Sequence, residues 1–108
     1  MPNNLAYVEH LMQHIEAIRH TTLMIEESIT YDRERGFDRH CTTQSRFFMV
    51  LRSVSVTMSG MQLLMSDGQH TWYGISLPKV ALVQTDSDGT LEVIENLAAT
   101  VARRTMIS

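Results

Sequence analysis

Cysteine is almost missing from the sequence. Cys41 stands alone, so no internal disulfide can form and a stapled secreted scaffold is excluded. A single cysteine of this kind reads as a small buried hydrophobe. Lysine is equally scarce: Lys79 is the only one, and the other eight basic residues are arginines. Arginine suits bidentate contacts to carboxylates and phosphates, although codon bias in a GC-rich genome is the plainer source of the skew. Long apolar runs are lacking too. The longest, Phe47 to Leu51, is far too short to cross a bilayer. The opening residues have no basic stretch followed by an apolar one, so they do not read as a secretory signal. There is no internal repeat, no low-complexity linker and no strong excess of one charge. A net charge of −3 and a pI near 5.9 argue against a nucleic-acid-coating or membrane-surface protein. These absences predict a cytoplasmic chain that needs no membrane.

What is present is enough apolar surface, 44% of the 108 residues, to offset chain entropy in one folded domain spanning residues 1–108. Leu5 to Ile29 carries Val8, Leu11, Ile15, Ile18, Thr22, Ile25 and Ile29 at spacings of three and four, the seam of an amphipathic helix. Asn3 or Asn4 is placed to cap it. Such a helix is roughly 38 Å long at about 1.5 Å per residue, longer than the expected width of the domain, and so demands a partner along its face. Thr30 to Thr43 is polar and reads as a connecting loop.

Gln44 to Met65 has two readings. Phe47, Val50, Leu51, Val54, Met58, Met61 and Met65 trace a helical face, while Val54, Val56 and Met58 alternate with serine and threonine as a strand does. Its length favours the helix, with Asp67-Gly68 as the stop. Beyond Gly68, Ser76-Leu77-Pro78 resembles a helix start. Leu91, Ile94, Leu97, Ala98 and Val101 share a helical face that ends at Arg103 and Arg104, where cations suit the helix dipole. The rival is a β-hairpin joining Val80–Gln84 to Thr90–Glu95 across Asp86-Ser87-Asp88-Gly89. The resulting expectation is a mainly α fold: a long antiparallel helix pair with a smaller C-terminal section, a short helix or hairpin and then a final helix. An α+β arrangement is the alternative. The long first helix favours a homodimer.

Three functional readings follow. The leading one is a non-catalytic adaptor or inhibitor that binds another protein as a homo-oligomer, with Val8, Leu11, Ile15, Ile18, Ile25 and Trp72 at interfaces. The second is an anionic-ligand binder for nucleotide or nucleic acid, built on Tyr31, Arg33, Arg35, Arg39, His40 and Arg46, with Arg52 completing the arginine cluster. Against it, Asp32, Glu34 and Asp38 lie in the same loop and can neutralise those arginines. The third is a small helical ribonuclease. Arg35-x4-His40 and Arg33-x6-His40 have a spacing similar to the Arg-x4–6-His pair of HEPN-type ribonucleases, but here the pair sits in a loop and Gly36 replaces the usual polar residue. No catalytic residue is therefore assigned.

Two stretches carry metal-ligand spacing. Gln84, Asp86, Asp88, Gly89, Leu91 and Glu95 resemble an EF-hand calcium loop over twelve residues. Glutamine in place of the first aspartate, apolar Val93 and Ile94 and the lack of a second loop favour a plain polar turn. His10 and His14 share a helix face but have no evident third ligand. No metal or cofactor is expected.

Overall fold

The computed structural model describes residues 4–37 and 43–108 and is mainly β. The order is helix α1 (Leu5–Ala17), β1 (Thr22–Thr30), β2 (Thr43–Val50), β3 (Ser53–Val56), β4 (Gln62–Ser66) and β5 (Trp72–Ser76). A 3-10 turn (Leu77–Lys79), β6 (Val80–Thr85), β7 (Leu91–Asn96) and β8 (Ala102–Ile107) follow. All neighbouring strands are antiparallel, in one five-stranded sheet ordered β2-β1-β8-β7-β6 and one three-stranded sheet ordered β3-β4-β5.

The expected helix pair is thus overturned at three places. The first helix ends at Ala17, and His20 adopts a positive φ of 70° that turns the chain out of helical geometry. Thr21, Thr22, Ile25, Ile29 and Thr30 then supply the β-branched density of a strand. A helix of thirteen residues is roughly 20 Å long, so the length argument for a dimer falls with it. The second expected helix is instead β2, β3 and β4. Here the Val54/Val56 alternation with serine describes β3, and Thr57 to Gly60 make the turn to β4. The expected final helix is β7 and β8. Val80–Thr85 pairs with Leu91–Asn96 as a hairpin, with Gln84 opposite Glu92.

Two corners join the sheets. Strand β2 passes into β3 through Leu51 and Arg52, and β5 passes into β6 through Leu77–Lys79. Between the sheets, β5 meets the larger sheet strand by strand. Ser76 contacts Glu95 on β7, Gly74 contacts Arg103 on β8, and Tyr73 reaches Glu27 on β1 and the ring of Phe47 on β2. That succession makes β5 cross the larger sheet, the orthogonal form of sheet packing.

Helix α1 lies against β6. Leu11 and Ile15 reach the interior with no exposed surface, among Leu23, Ile25, Leu63, Met65 and Ile107. Val8 and Ile18 pack at the margin of that cluster. Asn4 occupies the N-cap position without capping. Its side-chain amide instead donates to the Leu77 and Val80 carbonyls at 2.9 and 3.0 Å, tying the helix to the corner before β6. No described helix is long and apolar enough to cross a membrane.

Candidate binding cleft

Residues opposite one another in an antiparallel ladder share a face. On β1, Leu23 and Ile25 face the interior, and the next inward position is Glu27, opposite Thr105. On β7, Leu91 and Val93 are followed inward by Glu95, opposite Arg103. One end of the inter-sheet layer is therefore apolar, and the other holds two carboxylates, a guanidinium and a hydroxyl. Tyr73 enters the same end from β5.

These groups form one network. Arg103 grips Glu95 with two nearly parallel bonds, Nε to Oε1 at 2.9 Å and Nη2 to Oε2 at 2.8 Å. Glu95 is wholly buried and also accepts the Ser76 amide at 2.9 Å. Arg103 Nη2 donates to the Gly74 carbonyl at 2.9 Å, and Nη1 lies 3.3 Å from Glu27 Oε2. The Tyr73 hydroxyl donates to the same Glu27 oxygen at 3.1 Å and lies 2.6 Å from the Thr105 hydroxyl.

Leu77 N donates to the Met61 carbonyl across the β4–β5 ladder. By strand alternation, residues 72, 74 and 76 therefore turn their backbone groups away from β4. The Arg103–Glu95 pair thus supplies a donor and an acceptor where a neighbouring strand would stand. Burial works against the charge on Arg103. The Glu95 hydrogen bonds, with the negative charges of Glu95 and Glu27, outweigh it and hold the guanidinium above its usual range. Burial pushes the Tyr73 hydroxyl well above the ordinary phenol range; the Thr105 bond and Arg103 oppose that and Glu27 adds to it.

The network opens on a cleft of about 430 Å³ lined by Glu27, Phe47, Phe48, His70, Thr71, Trp72 and Tyr73. Phe47 and Tyr73 pack ring to ring at 5.8 Å, and Arg103 lies over the far side of the layer, 5.3 Å from the Tyr73 centroid. Phe48 and Trp72 stand at the rim, each 67% exposed. Asp67 holds the approach to β5 in shape by accepting the amides of Gln69, His70 and Thr71. The same backbone bonds, to Gln69 and Thr71 first, keep its carboxyl below the usual carboxylate range.

The structure scatters the arginine cluster. Arg39 and His40 lie outside the described residues. Tyr31 and Arg33 are exposed in the loop after β1, where the Arg33 backbone amide bonds Thr100, and Arg35 pairs with Asp32 at 3.1 Å. Arg46 pairs with Glu26 on the outer sheet face at 3.5 Å, and Arg52 is at the opposite end of β2.

Of the expected interface residues, Leu11, Ile15 and Ile25 are wholly buried in the chain's own core, so they have no surface left for a partner. Trp72 alone among them is widely exposed. The calcium-loop residues form the β6–β7 turn, where Asp86 and Asp88 accept the Thr90 amide, and Glu95 is committed to Arg103. His10 contacts Thr85 at 2.9 Å. Partial burial, with the charge of His10, lowers the pKa of His14. Among the described residues no group of three metal-binding side chains assembles.

Sequence reading singled out Trp72 but missed Glu27, Phe47, Phe48, His70, Tyr73, Glu95 and Arg103 as a group. The signal that marks the network is a charged residue at an inward strand position, seen at residues 27, 95 and 103. Comparison with protein-family models, curated proteins and solved structures finds no match to the chain.

Proposed function

We propose that this protein is a non-catalytic protein-interaction module that takes an extended partner segment along the free edge of β2, beside the aromatic cleft. The observation that carries the reading is that edge. Among the described residues strand β2 pairs with β1 alone, and Leu51 N donates to Thr21 O at its end. Alternation back along the strand turns the backbone groups of Gln44, Arg46 and Phe48 outward. Among the described residues no backbone bond occupies them, and Thr43 through Arg46 are exposed. An eight-residue open edge is a template for strand addition, and exposed aromatics beside it supply the anchoring area that binding surfaces use.

The network polar groups support a binding role because they are engaged with one another and hold the cleft wall in place. The opposite edge of the large sheet, β6, is already covered by α1.

The test is a selection of displayed random peptides against the intact protein, followed by amide-shift mapping. Peptides that perturb β2 and lose binding to Arg46→Pro, which removes an outward donor from an edge where proline is tolerated, support the reading. Enrichment of nothing, or of peptides that map elsewhere, overturns it. Concentration-dependent self-association abolished by Arg46→Pro identifies a second copy as the partner.

A further inference from the structure

Resting on that reading, we infer that the cleft beside β2 receives an arginine side chain of the partner segment, held between aromatic rings and the Glu27 carboxylate. The argument begins with charge. Two carboxylates, Glu27 and Glu95, converge on one guanidinium, Arg103, so the network carries one negative charge in excess. Arg103 divides its bonds unequally. Both of its short carboxylate contacts, at 2.8 and 2.9 Å, go to Glu95, which also holds the Ser76 amide. Glu27 keeps one contact at 3.3 Å and the Tyr73 hydroxyl. Its side chain remains 24% exposed, and it lines the cleft. Among the described residues no other arginine or lysine lies within ion-pair distance of it. The excess charge therefore sits on the carboxylate that lines the aromatic cleft.

The walls of that opening suit a cation. Phe47, Phe48, Trp72 and Tyr73 line it, and aromatic faces attract a guanidinium by their quadrupole, more so when water is displaced. Arginine stacks on such faces and still offers donors to a carboxylate, which lysine does only as a point charge. An anion would meet Glu27 with, among the described residues, no arginine or lysine free beside it, and a purely apolar group would strip water from Glu27 with nothing in return. A segment paired along β2 sends alternate side chains to one face, which brings such a side chain past Phe48 toward the cleft.

Trp72 is the only tryptophan, so its fluorescence reports occupancy of the cleft directly. The experiment titrates the intact protein with two decapeptides of alternating valine and threonine, identical except for a central arginine or its neutral isostere citrulline. The arginine peptide is expected to bind at least about fivefold more tightly, as a desolvated cation–π contact requires, and Glu27→Gln is expected to erase that preference. Phe48→Ala, a change at an exposed residue, weakens the arginine peptide as well and keeps the test decisive if Glu27→Gln folds poorly.

Equal affinity for the two peptides, or an undiminished preference in Glu27→Gln or Phe48→Ala, overturns the inference. Equally tight binding of both peptides that is lost in Arg46→Pro would overturn the arginine site while supporting strand addition. Arginine amide or tetramethylammonium binding as tightly as the arginine peptide would make the ligand a free small cation and overturn the partner-segment assignment.

Discussion

The two ends of the space between the sheets are built from the same three strands. Along β1, β7 and β8, Ile25, Leu91 and Ile107 face one another at the first end, sealed by Leu11 and Ile15 of α1. A few residues further on, the same ladders bring Glu27, Glu95 and Arg103 to the second end, where none of the described residues forms a helix. The apolar end is held by area removed from water, which tolerates small errors of geometry. The polar end is held by bonds that stabilise only when every partner is in place. A cleft opens at the second end because β5 is backed there by side chains instead of a strand.

Breaking the polar end at its centre gives the largest effect. Arg103→Met leaves Glu95 buried without its cation and is expected to cost about 4 kcal/mol in urea unfolding. Adding Glu95→Leu to that variant should restore part of the loss, because the stranded charge is removed. At the apolar end, Ile15→Ala is expected to cost about 3 kcal/mol through lost burial and the cavity left behind. A second substitution there, Ile107→Ala, should make matters worse rather than compensate.

Tyr73→Phe, which deletes only a hydroxyl, is expected to cost about 1–2 kcal/mol at neutral pH. Its pH dependence separates the two ends further. The folded pKa of Tyr73 lies above the unfolded value of about 10. The unfolded chain therefore loses this proton first, and the stabilisation is full below about pH 10 and falls as pH rises beyond it. Unfolding curves collected on both sides of that pH should converge for wild type and Tyr73→Phe, and parallel curves would contradict the placement of the hydroxyl. The smallest effect on stability is expected from Phe48→Ala, within about 0.5 kcal/mol because the ring is exposed, while the same change is expected to weaken binding of the arginine peptide.

The apolar end was partly legible in the sequence and the polar end was not, and the two facts share a cause. Val8, Leu11 and Ile15 have helical spacing and lie on α1, as read. The spacing then continues by coincidence through Thr22, Ile25 and Ile29, which are strand residues. Strict alternation would have exposed the strand, since Leu23, Ile25 and Ile29 are spaced by even numbers, but Glu27 interrupts them. Glu95 does the same after Leu91 and Val93, and Arg103 does so before Thr105 and Ile107. The residues that make the network are the ones that hide the strands. Trp72 was singled out on residue type alone, and the structure leaves it widely exposed. Its companions Phe47, Phe48 and Tyr73 come from two strands that only the orthogonal crossing brings together.

The position of β8 between β1 and β7 has a consequence for how the chain reaches this state. The hairpin of β6 and β7 closes over a short turn and forms from local contacts. By contrast, Ile25 waits for Ile107, and Gly74 waits for Arg103. Without β8, β1 with β2 and β6 with β7 are two half-sheets with nothing between them. Their inward faces stay bare until β8 docks. Pairing across so long a stretch of sequence is slow, and unjoined strand edges are sticky meanwhile. Joining the two halves therefore depends on one strand of six residues, Ala102–Ile107, that pairs on both sides.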